Sequence, residues 1–115
     1  MVNGEQKKIL LEKIKEDPGL TSFQKKVLKI VLNIPKGEVR SYAWVAGKAG
    51  SPKAYRAVGS AMAKNPYVPG VPCHRVISSS GSIGGYSGGI KKKKKLLEEE
   101  GVVIKERIKK GYIEF

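Results

Sequence analysis

The sequence predicts a mostly α-helical domain with a small β element, organised around a helix-turn-helix. Two features point that way. Apolar residues recur at helical spacing through most of the chain. Two short alanine-rich segments, Ser41–Lys48 and Lys53–Lys64, flank a break at Gly50-Ser51-Pro52 and suggest two short helices around a tight turn.

The elements follow in order. Glu5–Glu16 reads as an amphipathic helix with Ile9, Leu10 and Ile14 near one face, stopped by Asp17-Pro18-Gly19. A second helix starts near Thr21, whose hydroxyl can cap while Gln24 reaches back in a capping box. Its apolar set is Phe23, Val27, Leu28, Ile30, Val31 and Leu32, and Pro35-Lys36-Gly37 ends it. On Lys53–Lys64 the expected buried stripe is Ala54, Ala57, Val58, Ala61 and Met62, with Arg56, Gly59, Ser60 and Ala63 facing away. Apart from Arg56, that outward face is small. A helix about 10–12 Å across presses into a groove about 6 Å wide only if the groove opens and the helix face is slim. Packing against another helix explains the same small residues equally well.

Tyr67–Pro72 is too proline-rich for helix. Cys73–Ser78 is expected as a short strand, Ser79–Gly89 as a Gly/Ser loop carrying Ile83 and Tyr86, and Ile90–Glu100 as a helix stopped by Gly101. Val102–Phe115 alternates weakly and suggests a further strand. A chain of 115 residues fits one domain, with residues 1–20 as a short N-terminal helical extension and 21–115 as the main body. No apolar run approaches a membrane span and no signal-peptide core stands at the N-terminus, so an intracellular location is expected: cytoplasmic in a prokaryote, nuclear in a eukaryote.

Lys plus Arg outnumber Asp plus Glu by 23 to 10, a net charge of +13, which attracts polyanions such as nucleic acid or an anionic membrane surface. A lysine-rich thermophile composition or a ribosome-associated protein gives the same balance. One Cys and one His exclude an intramolecular disulfide and the usual zinc sets, so no metal-dependent mechanism is expected. A lone cysteine is most often a small buried hydrophobe. Cys73, however, stands between Pro72 and His74-Arg75, and a thiol near cationic or imidazole groups ionises more readily. On an extended segment Cys73 and His74 point to opposite sides, which makes a bridging water the natural relay and leaves a carboxylate to be found for His74.

Five motifs keep one order along the chain: Gly37-Glu38-Val39-Arg40-Ser41-Tyr42, Pro52 to Gly59, Asn65-Pro66, Pro72-Cys73-His74-Arg75-Val76-Ile77 and Tyr86-Ser87-Gly88-Gly89. Together they resemble the O6-alkylguanine-DNA alkyltransferases, from about Phe23 to Gly101. The resemblance implies a winged helix-turn-helix-like DNA-binding and catalytic domain over residues 21–115. It implies single-turnover transfer of an alkyl group from guanine O6 to Cys73, with no cofactor, after the base is flipped out of the duplex. His74 would act as base through water and Glu100 would polarise it. Asn65 would tie the helix-turn-helix to the active-site loop, and Tyr42 would support base rotation. Arg56 would enter the vacated stack, with Gly59, Ser60, Lys53, Lys64 and Arg75 as further DNA contacts. Met62, Val76, Tyr86, Ser87 and Gly88 would wall the pocket, with the Cys73 and Val76 carbonyls reading the exocyclic amine. The implied partner is double-stranded DNA containing O6-alkylguanine, bound by a monomer without any membrane. The alternative is a non-catalytic protein that recognises alkylated DNA and recruits other repair factors; such relatives replace the acceptor cysteine.

Two departures stand out. Family members commonly carry an N-terminal domain of sheet and helix where only about 20 residues precede the match, and Gly85 stands where Asn often precedes the Tyr-Ser-Gly-Gly turn. The run Lys91–Lys95 opens a helix that Glu98–Glu100 closes, both against the helix dipole. A solvated face and a phosphate-contacting face are both open readings of that run.

Overall fold

A computed structural model describes residues 4–67, 70–78, 89–104 and 108–110. The element order is α1 (Gly4–Glu16), α2 (Ser22–Leu32), β1 (Arg40–Ser41), α3 (Tyr42–Lys48), α4 (Tyr55–Ala63), a 3-10 turn (Cys73–Arg75), β2 (Val76–Ile77), α5 (Ile90–Glu99), β3 (Val103–Ile104) and β4 (Ile108–Lys110). The domain is mostly helical with two small sheets, as the periodicity predicts. No described helix is long and apolar enough to cross a membrane.

Local chemistry sets the boundaries. α2 begins with a complete capping box: the Gln24 amide donates to Thr21 Oγ1 at 3.1 Å and the Thr21 amide to Gln24 Oε1 at 2.8 Å. Ser41 caps α3, accepting from the Trp44 amide at 2.9 Å. α5 ends on Gly101, whose φ of 90° lets the Val102 amide reach back to the Leu97 carbonyl. That closure holds Glu100 at the helix end.

One cluster joins α1 through α4 to the Cys73 turn, through Ile14, Val27, Leu28, Val31, Val45, Val58, Ala61, Met62, Val71 and Val76. A smaller one, Val39, Ile77, Leu97 and Val102, sits beneath α5. The two meet at the parallel pair β1–β2, registered Arg40 to Val76 and Ser41 to Ile77. β1 runs straight into α3 and β2 straight out of the Cys73 turn. A two-residue ladder therefore ties the start of α3 to the segment that leaves the Cys73 turn.

Three expectations need correction. The strand expected over Cys73–Ser78 is a 3-10 turn followed by a two-residue strand, because the Arg75 amide bonds the Pro72 carbonyl at 2.9 Å and closes the turn. Ala57, assigned to the buried stripe, is exposed, and Ala54 is half-buried; Val58, Ala61 and Met62 carry the contact. Lys91–Lys95 is not one solvated face, because Lys93 is fully buried while its four neighbours are exposed.

Candidate functional site

Cys73 is 3% exposed at the start of its turn, and His74 is 4% exposed. In a 3-10 turn successive side chains diverge by about 120°. The two still point apart, for a different reason from the extended geometry expected.

Behind them is a charged fork. Arg75 Nε and Nη2 donate to Glu100 Oε1 and Oε2 at 2.9 and 2.6 Å, while Nη1 donates to the Ile34 carbonyl at 2.7 Å. His74 Nε2 lies 3.1 Å from Glu100 Oε1, within ion-pair range though not aligned as a hydrogen bond. His74 Nδ1 is buried without a hydrogen-bond partner among the described residues. Burial would raise the Glu100 carboxyl, but the two Arg75 hydrogen bonds, the close His74 imidazole and the charges of both groups overcome it and hold it at about 2. Gly37, at φ 86°, lies so close that a Cβ there would come within 3.1 Å of the Glu100 carbonyl. Arg75, expected at the DNA surface, is thus turned inward, joining the end of α2, the Cys73 turn and the end of α5.

Lys93 is the residue that sequence reasoning missed. Its Nζ donates to the Val76 carbonyl at 2.7 Å and lies 5.9 Å from the Tyr42 ring centre. Burial pushes its ammonium down to about 8, against the opposing pull of the Cys73 charge. Burial and the same cysteine charge push the Tyr42 hydroxyl up. Lys93 thus lies over the Tyr42 ring, and both side chains sense the Cys73 charge. The available signal was position: Lys93 precedes the buried Leu97 by one helical turn. The Val76 carbonyl, expected to read the guanine amine, already gives one of its two lone pairs to Lys93.

Asn65, just beyond α4, donates from Nδ2 to the Val71 carbonyl at 3.2 Å and accepts from the Tyr67 amide at 2.9 Å. This links the helix-turn-helix to the segment before Cys73. Met62 and Val76 are buried beneath. Tyr86, Ser87 and Gly88 lie outside the described residues. A groove of about 800 Å³ runs along the α1 side of the fork, past Leu10, Ile34, Pro72, His74, Arg75 and Glu100.

On α4, Arg56, Ser60 and Ala63 are exposed, as are Lys53 and Lys64 at its ends. A Cβ added at Gly59 would meet nothing within 4 Å. The small face is thus not packed against another described helix.

The model of the 6-O-methylguanine DNA methyltransferase DNA-binding domain matches residues 22–102. The chain belongs to this family. A methylated-DNA–protein-cysteine methyltransferase of Mycobacterium tuberculosis is 54% identical over 80 residues, covering 70% of this chain and 48% of the relative. The crystal structure of M. tuberculosis OGT in complex with DNA superposes with a TM-score of 0.69 at 53% identity, covering 70% of this chain and 50% of that one. S. pombe Atl1, in complex with damaged DNA containing O6-carboxymethylguanine, has a TM-score of 0.67 at 40% identity, covering 75% of this chain and 82% of that one. The chain spans about half the length of the curated methyltransferases it matches. For this methyltransferase-family domain, the match begins after α1, which is nevertheless packed into the main core through Ile14.

Proposed function

We propose that this domain repairs alkylated DNA by moving an alkyl group from guanine O6 to Cys73. The observation that carries the reading is the Cys73 turn backed by the Glu100–His74 contact. It supplies a nucleophile, a base and an orienting carboxylate within one buried cluster. The thiol proton leaves through a water to His74. Cys73 Sγ bonds the alkyl carbon as the carbon–O6 bond breaks, and the guanine regains its carbonyl by taking a proton at N1. No co-reactant is consumed, and the thioether has no water-labile bond, so each molecule reacts once.

Guanine O6 is out of reach inside a stacked duplex, and flipping the base costs a few kcal/mol. The uncovered face of α4 fits a widened minor groove, with Gly59 and Ser60 against the sugar-phosphate walls and Arg56 filling the vacated stack. Lys53 and Lys64 flank this face as phosphate contacts. Tyr42 supports the rotated nucleotide, and Met62, Val76 and the Tyr86-Ser87-Gly88 turn wall its pocket. Asn65 holds the loop to α4, and Arg75 acts through Glu100 as a positioning residue. Lys93, facing the thiol and holding the Val76 carbonyl, favours the thiolate when charged.

Intact mass after incubation with an O6-methylguanine duplex tests the reading. One methyl gained on Cys73 and absent from Cys73→Ser supports transfer. Tight lesion binding with unchanged mass overturns it in favour of a non-catalytic damage sensor. Arg56→Ala is expected to slow transfer on duplex more than on free base.

A further inference from the structure

α1 and Asp17 precede the segment that matches the family, yet they meet the loop carrying the nucleophile at two places. The Tyr67 hydroxyl donates to Asp17 Oδ2 at 2.6 Å, with the Lys13 carbonyl a longer second acceptor at 3.3 Å. Further along, Leu10 rests on the Gly70 backbone so closely that a Cβ there would come within 2.8 Å of Leu10 Cδ1. From Tyr67 a line of bonds runs to the cysteine. The Val71 amide donates to the Tyr67 carbonyl at 2.9 Å, and the Cys73 amide donates to the Val71 carbonyl at 2.8 Å. The Asn65 side chain grips the first two links of this line, at the Tyr67 amide and the Val71 carbonyl.

We propose that Asp17 and Tyr67 are positioning residues for Cys73, forming a clamp by which the helix outside the family match sets the register of the nucleophile's turn. Two further features support this. Asp17 is itself ordered: its Oδ1 accepts from the Gly19 amide at 2.8 Å in the turn that ends α1. The anchor beneath it is also firm, since Ile14 is fully buried and Tyr67 packs on the same core. The Tyr67 hydroxyl is thus held on a fixed point at the end of α1, and its carbonyl accepts from the Val71 amide, whose own carbonyl accepts from the Cys73 amide. Attack at an alkyl carbon needs the sulfur in line with the departing oxygen, and small displacements of the attacking atom are expensive. The clamp's effect on rate rests on the alkyl-transfer reading, whereas its effect on the loop does not.

The test uses the full chain with Tyr67→Phe, Asp17→Ala and Asp17→Asn, well below each variant's Tm. Amide hydrogen exchange at Val71 and Cys73 needs no substrate. It is expected to quicken about tenfold in Tyr67→Phe and Asp17→Ala while amides of α2 and α4 stay unchanged. Asp17→Asn, whose single amide oxygen keeps only one of the two accepted bonds while its NH2 can donate to the Tyr67 hydroxyl oxygen, is expected to fall between wild type and Asp17→Ala. The single-turnover rate at saturating O6-methylguanine duplex should fall about fivefold in the first two variants, the size of one typical net hydrogen bond, with duplex Kd unchanged. Unchanged exchange at Val71 and Cys73, or equal quickening across α2 and α4, overturns the clamp. Quickened exchange with an unaltered transfer rate also overturns it as a positioning device. A wild-type chain that transfers no methyl defeats the alkyl-transfer reading alone, and the exchange measurement still decides whether the clamp holds the loop.

Discussion

Glu100→Gln isolates the charge at the centre of the fork while keeping its shape. The carboxylate accepts two bonds from Arg75 and lies 3.1 Å from His74 Nε2, and its pKa sits at about 2 in place of the ordinary 4.5. At about 1.4 kcal/mol per pH unit, that difference corresponds to a ceiling of roughly 3 kcal/mol. The side chain is 14% exposed, and solvent at the edge of the cluster screens the pair, which brings the expected contribution to about 2 kcal/mol. The sign follows from the depressed value. The contribution is complete above the unfolded pKa near 4.5 and is lost as pH falls towards 2. Urea unfolding at pH 7 should therefore find Glu100→Gln less stable by about 2 kcal/mol. Near pH 2.5 most of that gap should have closed, because the wild-type carboxyl is then approaching its own protonation. Transfer at pH 7 should slow at least tenfold, since His74 loses its orienting charge. A stability gap that is constant from pH 7 to 2.5 would refute the electrostatic account of the fork.

Lys93→Met replaces the buried ammonium with a similar unbranched chain and removes the bond to the Val76 carbonyl. Transfer should fall about tenfold with duplex Kd little changed, as measured by single-turnover kinetics and fluorescence anisotropy. Because burial lowers the Lys93 pKa from 10.5 to about 8, the folded state disfavours its charged form. Wild-type stability should therefore rise relative to Lys93→Met as pH increases from 8 to 10.5, followed by denaturant titration. Gly59→Leu projects into open space, so thermal melting should find Tm unchanged or raised by the gain in helix propensity. Its affinity for duplex should nevertheless drop at least tenfold; equal affinity would remove α4 from the groove. Reversing the exposed Lys91, Lys92, Lys94 and Lys95 tests the phosphate reading of that run. A flatter dependence of affinity on salt supports phosphate contact, and an unchanged slope assigns the four to a solvated face.

What could be read in advance divides by range along the chain. The capping box at Thr21, the apolar stripe of α2 and the stop at Gly101 all act over a few residues, and the helices formed where those signals stood. The Cys73 segment was misjudged because β-branched Val76 and Ile77 suggest a strand. A single Arg75-to-Pro72 bond instead curls the three residues before them. Ala57 was misplaced because an alanine reads equally well on either face of a helix. The contacts of the fork span 25 residues between Arg75 and Glu100 and 41 between Ile34 and Arg75, and Tyr67 reaches 50 residues back to Asp17. No local periodicity carries such pairings. Asn65 lies in one of the ordered motifs and Glu100 was named only through the family resemblance they carry, whereas Tyr67 belongs to no motif and Lys93 left only its helical spacing from Leu97 as a signal.

Lys93 and Glu100 also explain why α5 is built against its own dipole. Lysines open the helix and glutamates close it, an arrangement that destabilises an isolated helix by a few tenths of a kcal/mol at each charge. Here the two ends are held from outside the helix. The Val76 carbonyl takes the Lys93 ammonium near the first turn, and Arg75 takes the Glu100 carboxylate at the last. Both partners belong to the segment Cys73–Val76, so α5 spans the Cys73 turn like a brace fixed at each end. A helix with favourable terminal charges would be more stable alone, but it would present a carboxylate to the Val76 carbonyl and a cation to Arg75. The local rule is broken at the two positions that hold the Cys73 turn, and a conflict between local preference and global structure is most often found where a protein functions.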